Sequence, residues 1–101
     1  MSKIAVLAKI TTNVGKRDEV VAIFAGHVAA VDAEPGTEVY ALHTSPADEV
    51  TIWFYEIYTD KAALDQHGGS EAMKALNPKL KGLLAGRPEI TVLTPIAAKG
   101  L

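Results

Sequence analysis

The segment from Val50 to Tyr58 constrains the fold of this chain more than any other. It is rich in β-branched and aromatic residues, a composition that favours a β-strand. Its two alternating faces are both apolar: one carries Val50, Ile52, Phe54 and Tyr58, and the other carries Trp53, Tyr55 and Ile57. A strand with one face in water normally alternates apolar and polar residues, so this pattern predicts a sheet that is covered on both sides.

Three further segments have the composition of strands. Thr37 to Thr44 precedes the aromatic segment and is separated from it by Ser45-Pro46-Ala47-Asp48, which predicts an antiparallel hairpin. Lys3 to Thr12 is predicted to be the first strand, and Glu89 to Thr94 the last, followed by a short tail.

A helical period begins at Lys16, after the turn Asn13-Val14-Gly15. Apolar positions then recur every three or four residues, as on one helix face: Val20, Ile23, Phe24, His27, Val28 and Val31. Pro35-Gly36 ends this segment, since proline cannot continue a helix. Asp60 is predicted to cap a short helix that stops at Gly68-Gly69.

Ser70 is predicted to cap the next helix, whose apolar stripe is Met73, Leu76, Leu80, Leu83 and Leu84. Asn77-Pro78 interrupts this stripe. Proline costs a helix one hydrogen bond and crowds the preceding turn, so we expect a kink or a break there.

The order of elements is typical of an α+β fold, the ferredoxin-like βαββαβ arrangement with an antiparallel sheet. A chain of 101 residues is expected to form a single domain over residues 1–101. Because the helices can cover only one face of the sheet, the face with Trp53, Tyr55 and Ile57 needs another cover. We therefore expect two sheets to pack face to face in a homodimeric α+β barrel.

Composition excludes several classes of function. The formal net charge is −2 and Lys and Arg are scattered, so nucleic acid is not an expected partner. The chain has no cysteine, which excludes disulfides, thiolate nucleophiles and cysteine-bound metals. No apolar run reaches about 18 residues and no export signal is recognisable, so we expect no membrane association and a cytoplasmic location.

His67 is the leading candidate for a catalytic residue, because it ends the short helix and can point under it towards the sheet. Histidine exchanges protons near neutral pH. The alternative is a histidine that bonds a carbonyl at the helix end. Asn77 could face a ligand or patch a carbonyl freed by Pro78. Glu56 falls on the helix-facing side of its strand and there needs a partner such as a tyrosine or histidine.

Aromatic and apolar residues on the same side would form the wall of a pocket or simply the core: Phe24, Tyr40, Phe54, Tyr58 and Met73. His27 lies beside Phe24 on the first helix, and His43 lies in the second strand. The three histidines do not show the spacing of a metal-binding pair, so no metal is expected. The sequence also lacks a glycine-rich phosphate loop, so it shows no seat for a nucleotide or flavin.

The Glu56…His67 segment, with Val14-Gly15-Lys16 and Glu34-Pro35-Gly36, resembles the antibiotic biosynthesis monooxygenase family. The resemblance covers nearly the whole chain and implies a homodimer that uses no cofactor. Its partners would be dioxygen and a small aromatic substrate such as a quinol. The haem-degrading branch is disfavoured, since Asn77 stands where that branch has a histidine ligand and Ile10 where it has a pocket asparagine.

The resemblance also implies roles for the candidate residues. His67 would handle the substrate proton, Asn77, Glu56 or Tyr58 would bond substrate oxygens, and other residues would shape the pocket: Phe24, His27, Tyr40, Phe54 and Met73. Two alternatives stay open, because fold does not determine function. One is a non-catalytic dimer that binds a small ligand or acts as a scaffold, and the other is an isomerase of a small signalling metabolite.

Overall fold

A computed structural model describes residues 2–101 as one antiparallel sheet with helices on one face. The four strands are β1 (Ile4–Thr11), β2 (Thr37–Thr44), β3 (Thr51–Tyr58) and β4 (Glu89–Leu93), in the order β2-β3-β1-β4. The helices are α1 (Arg17–Val31), α2 (Lys61–Gly68) and α3 (Glu71–Leu80). This is the predicted α+β, ferredoxin-like arrangement.

Strand β1 lies in the middle of the sheet, and its register sets the floor of the site. Ala8 is paired with Phe54 of β3 on one side and with Ile90 of β4 on the other. Two residues earlier in β1, Val6 is paired with Glu56 of β3. Since alternate residues share a face, all of these side chains lie on the same side of the sheet.

The local signals for the helices are confirmed. Helix α1 buries Val20, Phe24, His27 and Val31, which recur at helical spacing. The Asp60 side chain accepts a hydrogen bond of 2.8 Å from the backbone N–H of Ala63, and Ser70 accepts one of 3.2 Å from Met73. These caps satisfy amides at the starts of α2 and α3. No helix within residues 2–101 is long and apolar enough to cross a membrane.

We expected a kink or a break at Asn77-Pro78, and the helix does not break there. Helix α3 contains Pro78 and ends at Leu80, so Leu83 and Leu84 lie beyond the helix. Proline removes one hydrogen bond, to the carbonyl four residues earlier. That carbonyl belongs to Lys74, an exposed residue, so water can replace the missing amide.

Within residues 2–101 no helix lies on the other face of the sheet. The set Trp53, Tyr55 and Ile57 on this face was expected to need cover from a second subunit, and for Ile57 this is wrong. Trp53 is 36 % exposed there and Leu93 is 43 % exposed. Ile57, however, is fully buried within one chain, on the central strand β3 between Ala5 of β1 and Val39 of β2. Ile57 therefore needs no second subunit to remove it from water, and the dimer stays a prediction.

Candidate functional site

A cavity of about 510 Å³ lies between the helices and the sheet. Its floor includes Val6, Ala8, Phe54 and Ile90, and side chains of α2 and α3 close it from above: Leu64, Met73, Leu76 and Leu80. Ala8 has a shorter side chain than its neighbours Phe54 and Ile90, so the cavity is deeper above Ala8. In the described part of the chain no helix covers β4, so the cavity-lining residues Ile90 and Val92 remain 59 % exposed and this side of the cavity is open.

His67 projects into this cavity from the last turn of α2 and is only 5 % exposed. Its Nδ1 lies 2.8 Å from Oε1 of Glu34, in the loop between α1 and β2. Glu34 also accepts a hydrogen bond of 2.7 Å from the Thr37 hydroxyl. The imidazole is thus held by a side chain from another element, which differs from the alternative of a helix-end histidine bonded to a carbonyl.

Helix α2 reaches this loop because Gly36 has no side chain. A Cβ added at Gly36 would stand 2.5 Å from the Cβ of Ala63, much closer than two carbon atoms can approach. Ala63 lies one turn before His67 on the same helix. The glycine therefore sets the separation that brings the imidazole within hydrogen-bonding distance of Glu34.

Glu56 is the second ionisable group in the cavity wall, and it is 6 % exposed. The Tyr58 hydroxyl donates a hydrogen bond of 2.5 Å to its Oε1, as expected for a buried carboxyl that needs a partner. Burial raises the pKa of Glu56, although the Tyr58 hydrogen bond and the nearby His67 act in the opposite direction. The site therefore favours the neutral form of this carboxyl more than water does.

Tyr40 and His27 form a second polar pair beside the imidazole. His27 Nε2 lies 3.1 Å from the Tyr40 hydroxyl, and the Tyr40 ring is 4.9 Å from the His67 ring. Burial lowers the pKa of His27, and the proximity of His67 lowers it further. Burial and the negative charges of Glu56 and Glu34 raise the pKa of Tyr40. Both shifts favour the neutral form of the pair.

The structure brings most of the predicted site residues to one cavity: Phe24, Tyr40, Phe54, Glu56, His67, Met73 and Asn77. Tyr58 and His27 lie behind this wall, where Tyr58 supports Glu56 and His27 supports Tyr40. Glu34 was not predicted as a site residue. It lies 33 residues from His67 in the chain, so no local spacing could reveal their contact.

His43 lies away from the site and bonds the Ala41 carbonyl through Nδ1 at 3.1 Å. Among residues 2–101, no group of three histidine or acidic side chains is close enough to hold a metal ion. That the protein uses no metal stays a prediction.

Comparison with known proteins identifies the family of this fold and cavity. The family model described as antibiotic biosynthesis monooxygenase matches residues 3–79. The chain belongs to the antibiotic biosynthesis monooxygenase family. A relative from Mycobacterium tuberculosis, Rv0793, carries a provisional name as a monooxygenase. It is 30% identical over 95 residues, which cover 94% of this chain and 93% of that protein.

Several solved structures are similar to this chain over nearly its whole length. A Caulobacter crescentus protein, provisionally named an antibiotic biosynthesis monooxygenase, matches with a TM-score of 0.89 and 31% identity over 95% of this chain and 92% of that one. The structure of Rv0793 matches with a TM-score of 0.87 and 27% identity over 96% and 98% of the two chains. PA3566 from Pseudomonas aeruginosa matches with a TM-score of 0.88 and 26% identity over 96% of this chain and 97% of that one. The predicted family and fold are confirmed.

Proposed function

We propose that this protein is a cofactor-independent monooxygenase that oxidises a small hydroxy-aromatic or quinol with dioxygen. The observation that carries the proposal is an apolar cavity of about 510 Å³ whose wall contains the buried imidazole of His67 beside the buried carboxyl of Glu56. Membership of the family and the name given to Rv0793 support the reaction class. The cavity size suits a ligand of one or a few rings.

In the proposed reaction the substrate supplies all the electrons. His67 takes the proton of the substrate hydroxyl, because a deprotonated hydroxy-aromatic is electron-rich enough to reduce dioxygen. One ring C–H becomes C=O, the hydroxyl becomes the second C=O, and the O–O bond breaks. The second oxygen atom leaves as water with the two hydrogens lost by the substrate, so a hydroxy-aromatic and dioxygen give a quinone and water.

The other side chains would bind and orient this substrate. Glu56 and Asn77 line the cavity and would bond substrate oxygens, while Phe24, Phe54 and Met73 would contact the ring. The Phe24 and Phe54 rings pack edge to face with centroids 5.0 Å apart, which leaves the wall rigid and apolar. Such a wall keeps water from the substrate anion and holds it in one orientation.

We also propose that the protein acts as a homodimer. The helix-free face of the sheet presents Trp53 and Leu93, and a second copy of the same face would cover them. Large apolar side chains contribute about 1.5–3 kcal/mol each when they are fully buried, which favours such an assembly.

Oxygen uptake with a panel of quinols and naphthols tests the proposed reaction. We expect consumption of one dioxygen per substrate and a quinone product, with no added cofactor. Substrates that bind without consuming oxygen would instead identify a binding module. Turnover under anaerobic conditions would favour the isomerase, for which the cavity offers the same two ionisable side chains, His67 and Glu56.

A further inference from the structure

We propose that Glu34 is the positioning residue of this site: it accepts the hydrogen bond of the Nδ1–H group of His67 and so leaves Nε2 as the ring nitrogen that serves a ligand in the cavity. The catalytic consequence rests on the function proposed above. The tautomer itself is a property of the free protein and does not depend on that function.

The direction of the hydrogen bond follows from the chemistry of its two groups. Oε1 of Glu34 lies 2.8 Å from Nδ1 of His67. A carboxylate oxygen can only accept hydrogen bonds, so Nδ1 must carry the proton. In a neutral imidazole the other nitrogen is then an acceptor, and the orienting carboxylate also stabilises the cation that forms when Nε2 takes up a proton.

Glu34 is itself fixed in place, as a positioning residue must be. Its backbone N–H bonds the Val31 carbonyl at 2.9 Å, and its own carbonyl accepts from the Thr37 N–H at 3.2 Å. The Thr37 hydroxyl donates to Oε1 at 2.7 Å, to the same oxygen that receives His67. The carboxylate is therefore tied to the turn that precedes β2 and has little freedom to leave the imidazole.

The other polar groups near the imidazole are occupied. His27 and Tyr40 bond each other at 3.1 Å, and the Tyr58 hydroxyl bonds Glu56. Within residues 2–101 the only hydrogen-bond partner of the His67 imidazole is Glu34, through Nδ1. Since His67 lines the cavity, Nε2 is the nitrogen available to a ligand there.

A purely structural role would look different. If the pair only anchors α2 to the loop, Glu34→Ala should lower the free energy of unfolding and leave the rate per folded molecule unchanged. Two-bond ¹H–¹⁵N correlation spectra report which ring nitrogen carries the proton, because protonated and unprotonated ring nitrogens have well-separated ¹⁵N shifts. The measurement requires no substrate.

In a wild-type spectrum recorded where the imidazole is uncharged, we expect a protonated Nδ1 and an unprotonated Nε2 for His67. In Glu34→Ala the acceptor is lost, so the proton should move largely to Nε2, the preferred position in free histidine. Asp32→Ala removes an exposed carboxylate two residues earlier and should leave the tautomer unchanged. On a substrate that the wild type oxidises, Glu34→Ala should lower kcat by about tenfold or more with a smaller change in KM.

An uncharged wild-type His67 that carries its proton on Nε2 overturns the proposal, and so does an unchanged tautomer in folded Glu34→Ala. The wild-type spectrum decides the tautomer even if the variant does not fold. If the expected tautomers are found but no substrate consumes oxygen, the proposed function fails while the assignment of Glu34 as the residue that orients His67 stands.

Discussion

Removing the Tyr58 hydroxyl should cost stability in a way that depends on pH. Tyr58→Phe keeps the fully buried ring and deletes only the donor that bonds Glu56 at 2.5 Å. Loss of a hydrogen bond to a charged group costs about 1.5–3 kcal/mol, whereas loss of a neutral one costs about 0.5–1.5 kcal/mol. We expect a loss near 1 kcal/mol at pH 4 and about 2–3 kcal/mol at pH 8.

The direction of this pH dependence follows from the pKa of Glu56. Burial raises this pKa above its ordinary value of 4.5, so the wild-type protein loses stability as the pH rises from 4.5 through the folded-state pKa. The Tyr58 hydrogen bond lowers the pKa of Glu56, so its removal raises this pKa further. The loss of stability with rising pH then continues to a higher pH in Tyr58→Phe than in the wild type. The two proteins therefore differ least below pH 4.5, where the carboxyl is protonated in both the folded and the unfolded states.

Urea unfolding at pH 4 and pH 8, at one protein concentration, measures both losses. In a Glu56→Gln background, Tyr58→Phe should cost only as much as the loss of a hydrogen bond between neutral groups, at either pH. The coupling energy between Tyr58 and Glu56 is then about 1 kcal/mol at pH 8. Tyr55→Phe is the matched control on the same strand and should change stability by less than about 0.5 kcal/mol. Equal losses at both pH values, or no coupling to Glu56, would show that the Tyr58 hydroxyl does not stabilise the charged form of Glu56.

Four other predictions concern the site and the assembly. His67→Ala should lower kcat by about a hundredfold or more and cost about 2–3 kcal/mol in urea unfolding, because it removes both a proton acceptor and the bond to Glu34. His67→Asn, which can still donate to Glu34, should lose the rate but regain part of the stability; a normal rate per folded molecule in both variants would remove His67 from the chemistry. Ala8→Leu should fill the cavity floor and weaken naphthol binding at least about tenfold in calorimetry. The control Ala62→Leu, on the exposed side of α2, should leave binding unchanged, and equal binding by the two variants would argue against this cavity. Light scattering should show a wild-type dimer that Trp53→Asp disrupts, and a folded wild-type monomer at micromolar concentration would contradict the assembly. Purified protein should contain no stoichiometric metal, flavin or haem, which elemental analysis and absorption spectra would detect.

The sequence alone determined the features that depend on neighbours a few positions apart. The caps at Asp60 and Ser70 are three-residue contacts, and the alternation along β3 placed Glu56 on the helix side. The tyrosine that Glu56 needed lies two positions further on the same strand face. Each of these follows from the fixed geometry of one turn or one strand.

Contacts between residues far apart in the chain became visible only in the folded protein. The Glu34–His67 contact depends on how closely α2 packs against the loop, and the missing side chain of Gly36 sets that distance. Burial of Ile57 within one chain and the depth above Ala8 likewise depend on neighbouring strands. Residue spacing predicts the direction in which a side chain points from its own helix or strand. The residue that it contacts, and the cavity in front of it, depend on how separate elements pack together, which no local pattern encodes.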